Sequence, residues 1–144
     1  MQATRLDPGA LPDLAAMLLE AGLPTSDLAG AGRIFFRFDD NGLTGYSGLE
    51  GDGADRLLRS LVVVPDRRRT GVGGTMLEVL EKEAAMLGVG RLHLLTTTVA
   101  EFFKANGYAA ADRLTAPATI TASREFTSLC PASAAYLAKT LDPA

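Results

Sequence analysis

The chain has few of the residues that build metal centres and covalent cross-links. Among 144 residues there is one cysteine, one histidine and no tryptophan. A single cysteine excludes an internal disulfide, and a single histidine leaves no zinc cluster to assemble, so no metal is expected. Positive charge is not in excess: 14 Lys and Arg stand against 17 Asp and Glu, for a net charge of −3. That balance argues against nucleic acid as a partner, because such binders usually carry a basic surface. Apolar runs are short, and none approaches the roughly 20 residues that span a membrane. Asp7 and Pro8 stand where a signal peptide would have a basic and then an apolar segment. A reducing, cytoplasmic setting fits these absences.

What remains is ordinary for a globular protein, with 47% hydrophobic and 22% charged residues. The length suits a single domain over residues 1–144, large enough for a real core. No internal repeat, linker or low-complexity segment interrupts it.

Leu11, Leu14, Leu18 and Ala21 recur near helical spacing, and Gly22 and Pro24 end that helix. Thr25-Ser26-Asp27 can start one further helical turn. Residues 33–38 read as a strand, Asp39-Asp40-Asn41-Gly42 as a hairpin turn, and residues 43–49 as the partner strand. The central strand is residues 56–64. Alternation would put Leu57, Leu61 and Val63 on one face and Leu58, Val62 and Val64 on the other, as for a strand covered on both sides. A helix over residues 75–87 buries Met76, Leu77, Leu80, Ala84 and Leu87 and is capped by Gly88. Residues 91–97 form the next strand, completing a β-α-β unit with a right-handed crossover. Residues 99–106 make a short helix ended by Gly107. Residues 108–113 and 124–129 then read as a final pair of strands, and residues 131–141 as a closing helix with Pro131 at its start. The order predicts a mixed α/β domain around a partly parallel sheet.

Between the central strand and the long helix runs Asp66-Arg67-Arg68-Arg69-Thr70-Gly71-Val72-Gly73-Gly74-Thr75. A strand that ends in a glycine-rich turn and enters a helix presents free backbone N–H groups at the positive end of that helix, a geometry that binds phosphate. Gly71, Gly73 and Gly74 allow close approach of an anion, and the three arginines add charge-assisted donors. A charge run by itself is usually a solvated face; in front of these glycines it reads as an anion site. The run lacks a Gly-Lys-Ser/Thr ending, which argues against a P-loop nucleotidase, and it does not satisfy Gly-x-Gly-x-x-Gly.

It does satisfy Arg68-x-x-Gly71-x-Gly73, which resembles the pyrophosphate loop of the GNAT acetyltransferases. The likeness covers nearly the whole chain. It takes in the strand pair, Leu61-Val62-Val63-Val64-Pro65, the loop, the helix and strand after it, and Phe102-Phe103-Lys104-Ala105-Asn106-Gly107-Tyr108. That last run is similar to the family's Phe-Tyr-x-x-x-Gly-Phe segment. Leu94-Leu95-Thr96-Thr97-Thr98, Ala116-Pro117 and Glu125-Phe126-Thr127-Ser128-Leu129-Cys130-Pro131-Ala132-Ser133-Ala134 resemble a GNAT subgroup associated with arsenic-resistance operons.

The resemblance implies a GNAT fold, in which a central, mixed, partly parallel sheet is splayed at the coenzyme site and carries helices on both faces. Acetyl-CoA would lie as cosubstrate between residues 57–64 and 91–97. Leu61, Val62 and Val63 would flank its thioester and pantetheine arm; Arg68, Arg69, Thr70, Gly71, Val72, Gly73, Gly74 and Thr75 would hold its pyrophosphate; Phe102 and Phe103 would line the pantetheine channel. The implied reaction is acetyl transfer to the amine of a small molecule, with an amino-acid-like arsenical or antimetabolite as the subgroup's substrate class. For such an anionic substrate, Arg33, Arg37 and Arg59 are the candidate anchors. GNAT domains often pair as homodimers, and the apolar residues 132–141 are either an interface or core.

The sequence departs from the family at its proton carriers. The tyrosine that often serves as general acid falls at Phe103, and the glutamate that often acts as base through water falls at Leu57. The asparagine often seen after the second parallel strand has no match, and Thr96 to Thr98 stand in its place. Three readings therefore stand: an N-acetyltransferase of a small amine, a non-catalytic acetyl-CoA-binding sensor or partner module, and a peptide or protein N-acetyltransferase, which needs an open groove that the sequence does not show.

The candidate catalytic groups are Tyr46, Glu50 and Ser60. Tyr46 either meets substrate or is a structural tyrosine with its hydroxyl satisfied, and Glu50 either serves the amine or is a strand-end charge. Arg59 and Ser60 lie mid-strand, with Arg59 either edge-exposed or aimed at an anion. His93 is either a general base or structural. Cys130 is a nucleophile, a soft ligand for trivalent arsenic, or a small buried residue. Tyr108 either faces the departing thiolate or belongs to the core.

Overall fold

In the computed structural model, which describes residues 1–143, Asn41 (φ 54°) and Gly42 (φ 106°) take the positive dihedrals of a tight hairpin turn. The turn joins β2 (Arg33–Asp39) to β3 (Leu43–Glu50). Phe36 lies opposite Ser47 and Phe38 opposite Gly45. β1 (Gln2–Arg5) adds antiparallel to the outer edge of β2. On the inner side β3 pairs with β4 (Asp55–Val63). From there the chain crosses through α2 (Val72–Met86) to β5 (Arg91–Thr96), which runs parallel to β4. The seven-stranded sheet has the order β1-β2-β3-β4-β5-β7-β6, with β6 at Ala109–Ala110 and β7 at Ala135–Thr140, and only β4 and β5 are parallel.

Both faces of the sheet are covered. On one, Met76, Leu77, Leu80 and Ala84 of α2 and Phe103 of α3 (Ala100–Ala105) pack on Phe36, Phe38, Leu49, Leu58, Leu92, Leu94 and Leu137. On the other, Leu14 and Leu18 of α1 (Leu11–Glu20) pack on Phe35, Tyr46 and Val62. Farther along that face, Ile120 of α4 (Ala118–Thr121) packs on Leu57 and Tyr136.

Two irregularities in β4 create the site. The first is a bulge. Tyr46 opposes Val62 while Gly48 opposes Arg59, and the extra residue is taken up at Ser60, whose φ is 60°. Simple alternation is therefore broken. Leu58 lies with Leu61 and Val63 on the α2 side, whereas Leu57 and Val62 face the α1 and α4 side. The grouping expected from a period of two fails because the bulge reverses parity at Ser60. The second irregularity is the short parallel ladder: β4 and β5 pair from Asp55↔Arg91 to Leu57↔His93 and no farther. Beyond Leu57 the two strands diverge.

The C-terminal third differs from its sequence expectation. Residues 124–129 are not a strand; Glu125–Leu129 forms one π-helical turn, closed by the Cys130 N–H donating to Glu125 O at 2.9 Å. Residues 131–141 are not a helix. Pro131 opens a turn in which the Ala134 N–H reaches its carbonyl, and Ala135–Thr140 becomes β7, pairing along the whole length of β5. The cause is tertiary. β5 carries buried Leu92, His93 and Leu94 and pairs with β4 over three residues only, so its other edge requires a partner. β7 lies between β5 and the two-residue β6; Ala134, Tyr136, Leu137, Ala138 and Leu141 are buried, whereas Ala132, Ser133 and Thr140 are exposed. Of residues 108–113 only Ala109–Ala110 joins the sheet.

Candidate functional site

The loop after β4 is the first part of the site. A single 3-10 turn (Pro65–Arg67) leads to Arg69 (φ 65°) and Gly71 (φ 83°), and α2 starts at Val72 with no side chain capping it. Its first-turn N–H groups have no intrahelical acceptor and carry the positive end of a helix of 15 residues. Two arginines brace this loop. Arg68 Nε donates to Val63 O at 2.9 Å and its guanidinium pairs with Glu20 at 2.7 Å, while Arg67 donates to the carbonyls of Asp40 and Asn41. A cavity of about 320 Å³ opens in front of the loop, lined by Leu61, Val63, Arg67, Arg68, Arg69, Gly71, Gly73, Gly74, Val99 and Phe102. The glycines leave it open: a Cβ at Gly73 would stand 3.4 Å from the Phe102 ring and 3.7 Å from Val63, and one at Gly74 3.3 Å from Asn106 Oδ1. Open backbone donors with a shaped apolar wall fit a nucleotide pyrophosphate and the chain attached to it.

The divergence of β4 and β5 is the second part. A narrow cavity of about 90 Å³ lies between Leu58, Arg59, Ser60 and Leu61 on one side and Leu94, Leu95 and Thr96 on the other, with Phe103, Val99 and Glu125 closing it. It leads into an open cleft of about 720 Å³ formed by residues 22–26, residues 95–99, Glu125, Leu129, Cys130 and Pro131. Val99 borders all three spaces, and Glu125 borders the gap and the cleft. The loop and the cleft thus communicate through the splayed strands.

The third part is a buried charge cluster. Arg59, wholly buried, meets Asp27 through two hydrogen bonds of 2.6 Å and Glu50 through one of 2.7 Å, with Glu125 Oε2 at 3.2 Å from its Nε. Arg33 joins at 3.8 Å from Asp27 and 3.6 Å from Glu50. Burial pushes the Asp27 carboxyl up, but Arg59, Arg33 and Arg124 outweigh it and hold it below the usual range. Burial also works against the Arg59 charge, and the surrounding carboxylates overcome it and raise its pKa.

Glu125 goes the other way. Burial lifts its carboxyl to about 7; Arg59 opposes the shift, and Asp27 and Glu50 add to it. Its Oε2 is buried without a hydrogen-bond partner, because Arg59 Nε directs its single hydrogen at Ser60 Oγ, 3.2 Å away. Its Oε1 takes only a weak contact from the Cys130 thiol at 3.7 Å. Burial first, and then the Glu125 charge, raises that thiol to about 11, so Cys130 stays protonated near neutrality and is no nucleophile.

A stability consequence follows for Glu125. A carboxyl whose folded pKa is raised favours the fold most below its unfolded value of 4.5, and that contribution is lost as pH rises to about 7. The change across that window is about 3 kcal/mol at most. Glu125→Gln removes it. Urea unfolding should therefore show the variant gaining on the wild type between about pH 5 and pH 8; parallel stability curves over that range would contradict the shift.

The expected site residues are dispersed unequally. Leu61 and Val63 line the cavity in front of the glycine loop, whereas the Val62 side chain points into the α1 face. Arg68, Arg69, Gly71, Gly73 and Gly74 rim that cavity, and Thr70, Val72 and Thr75 complete the loop and first helical turn around it. Phe102 lines it, and Phe103 closes the gap. Of the catalytic candidates, only Ser60 reaches the gap. Tyr46 is buried against Leu14, Leu18 and Val62, and Glu50 is tied to Arg59; neither borders the three spaces.

The arginines expected to hold an anionic substrate are committed elsewhere. Arg59 is spent on carboxylates, and Arg33 lines a separate cavity beside Leu6, Leu11 and Leu28. Arg37 pairs with Asp39 at 2.9 Å. His93 is held between Tyr136 Oη and Asp55, each at 2.7 Å, fully buried and away from the gap. Tyr108 donates to Glu81 at 2.9 Å inside the α2 core, so its hydroxyl does not face the gap. In the sequence Glu125 stands out only within the tail motif, and a strand over residues 124–129 gives no reason for it to enter the cleft.

The acetyltransferase (GNAT) domain family matches residues 30–110. The chain belongs to that family. The matched stretch runs from β2 through the glycine loop, the splay and α3, and stops before Glu125. No curated protein matches this GNAT domain in sequence. Solved structures share its fold. Tetrahymena GCN5 superposes with a TM-score of 0.79 at 12% identity, covering 100% of this chain and 98% of that one. The ribosomal-protein-S18-alanine N-acetyltransferase of Escherichia coli gives 0.68 at 19% identity, covering 99% and 95%. N-acetylglutamate synthase from Neisseria gonorrhoeae, solved with coenzyme A and L-arginine, gives 0.74 at 19% identity; the GNAT domain covers 97% of itself and spans 33% of the length of that synthase.

Proposed function

We propose that this GNAT domain is an acetyl-CoA-dependent N-acetyltransferase that acetylates the primary amine of a small molecule. The observation that carries the reading is the divergence of β4 from β5 beyond Leu57, which joins the glycine loop to the cleft through one narrow gap. The backbone N–H groups from Arg69 to Gly74 would hold the pyrophosphate, with Phe102, Leu61 and Val63 along the pantetheine arm. Acetyl-CoA supplies an activated acetyl thioester. The chain's own task is to place the amine in the cleft, at the mouth of the gap, and to accept a proton from it.

The substrate class is drawn from two sources. The run Glu125 to Ala134 resembles that of the arsenic-operon subgroup, which favours an amino-acid-like arsenical or antimetabolite. Support for an amino-acid amine also comes from the fold likeness to N-acetylglutamate synthase. The cleft wall offers hydroxyls at Thr25, Ser26, Thr96, Thr97 and Thr98 to polar groups of such a molecule and no free arginine.

Thiol release from acetyl-CoA tests the proposal, measured over a panel of primary amines: glutamate and other amino acids, a glutamate-like arsenical, its phosphinic analogue and an aminoglycoside. Saturable release with an acetylated product identified by mass supports it. Acetyl-CoA that raises the melting temperature with no thiol release on any amine would favour the sensor reading, for which the observation is that Leu57 and Phe103 are both buried apolar side chains.

A further inference from the structure

Leu57 is buried under Ile120 and Tyr136, and Phe103 packs edge-on against Phe102 and Tyr108, so neither place supplies a proton carrier. We propose that Glu125 is the catalytic base of this enzyme, its carboxylate receiving the substrate as an ammonium ion in the cleft and taking the proton that frees the amine. The assignment rests on the acetyltransferase reading and deepens it.

Position is the first argument. Glu125 borders both the gap between the splayed strands and the cleft beyond it, where an amine must stand to reach a thioester held in the gap. Its side chain is 91% buried (9% exposed), yet Oε2 has no hydrogen-bond partner among the described residues. A buried carboxylate oxygen left without a donor costs free energy, and an entering N–H would satisfy it.

Charge is the second argument. The cluster holds two guanidinium groups, Arg59 and Arg33, and three carboxylates, Asp27, Glu50 and Glu125. With all of them ionised, the carboxylates outnumber the guanidinium groups in contact with them by one, and the exposed Arg124 acts on Asp27 only from outside the cluster. Two further cations act from the rim, Arg124 on Asp27 and Arg113 on Cys130, and neither lines the cleft; the Cys130 thiol is neutral near pH 7. No other residue lining the cleft is charged: its walls are Gly22, Leu23, Pro24, Thr25, Ser26, residues 95–99, Leu129, Cys130 and Pro131. The one charge the cleft lacks is a cation, and it lacks it at Glu125. Glu50 and Asp27 cannot take this part, because neither borders the cleft and the guanidinium N–H groups of Arg59 already satisfy both.

Acidity is consistent with the role. A carboxyl at about 7 is ionised for about half the molecules at neutral pH, and once protonated it gives the proton back to water readily. The step balances as follows. Glu125 takes one proton from the ammonium; the freed lone pair forms the C–N bond at the thioester carbonyl carbon; the C–S bond breaks with its electron pair on sulfur. A second N–H proton passes to that thiolate, and Glu125 releases the first to water in the open cleft.

Two measurements test it. In the kinetic one, Glu125→Gln is compared with wild type on the best amine of the panel. The variant should lose at least about a hundredfold in kcat. Its acetyl-CoA affinity, read by calorimetry, should stay within about threefold of wild type, which removes a merely structural explanation. Wild-type kcat/KM should rise with pH through a neutral-range step that the variant lacks. The other measurement needs no turnover: ¹³C NMR of carboxyl-labelled glutamates in the free protein should show one titration near 7 that disappears in Glu125→Gln. A variant within about threefold of wild-type kcat overturns the assignment and leaves the acetyltransferase reading standing. So does a protein in which every glutamate titrates below about pH 5.5. A wild type silent on every amine removes both together.

Discussion

Replacing Arg59 by methionine is expected to cost about 3–5 kcal/mol of folding free energy, read as the urea unfolding midpoint near neutral pH. The guanidinium is wholly buried and binds Asp27, Glu50 and Glu125. Methionine fills much of the space but leaves those carboxylates buried without their cation, and this uncompensated charge dominates over the lost packing. Arg33 remains, at 3.6 Å and 3.8 Å from two of them, and is too distant to replace it. The cost should shrink in acid, where the carboxylates are protonated, and a second change, Asp27→Asn, should recover part of it. A loss below about 1 kcal/mol at neutral pH would mean that the cluster does not hold the loop after α1 and the Glu125 turn onto the sheet.

The second large effect concerns the coenzyme. Gly73→Phe should weaken acetyl-CoA binding by about a hundredfold or more while leaving the fold intact, read by calorimetric titration beside a thermal melt. A Cβ at Gly73 meets only ordinary contacts, 3.4 Å from Phe102 and 3.7 Å from Val63, and Gly73 is not among the positive-φ glycines, so a side chain fits the helix there. Helix propensity even favours it. The ring, however, would occupy the 320 Å³ cavity and cover first-turn N–H groups. Losing two hydrogen bonds to a charged phosphate, at about 1.5–3 kcal/mol each, gives the stated factor. Gly73→Ala serves as the control and should bind nearly as wild type. An unchanged affinity in the phenylalanine variant would place the coenzyme elsewhere.

How far the sequence could be read depended on whether a signal was local. The Asn41-Gly42 turn, the apolar run of β4, the glycine loop and the periodicity of α2 are each specified within about a dozen residues, and all are present. The β-α-β unit followed from them. The Ser60 bulge was not legible: β4 shows apolar residues on both faces, so a reversal of parity leaves no trace in the pattern. Residues 135–140, Ala-Tyr-Leu-Ala-Lys-Thr, carry no strict alternation and suit a helix as well as a strand, and the open edge of β5 decides between them. That decision also turns residues 125–129 from a strand into the π-helical turn that carries Glu125 into the cleft.

The same distinction applies to the site. The half proposed to hold the pyrophosphate is one contiguous motif, residues 66–75, and is legible in the sequence. The charged half is built from Asp27, Arg33, Glu50, Arg59 and Glu125, which come from five separate elements. Their pairing is a product of the fold, and it converts Arg59 from an expected substrate anchor into the buried centre of a carboxylate cluster.

Amide hydrogen exchange with and without acetyl-CoA tests most directly that β4, the glycine loop and α3 form the coenzyme site. Slowed exchange should concentrate in residues 61–75 and 95–103, with little change across β1, β2 and α1. Protection that spares residues 68–74, or that falls on the groove beside residues 139–143 and the C-terminal half of α2, would contradict that placement.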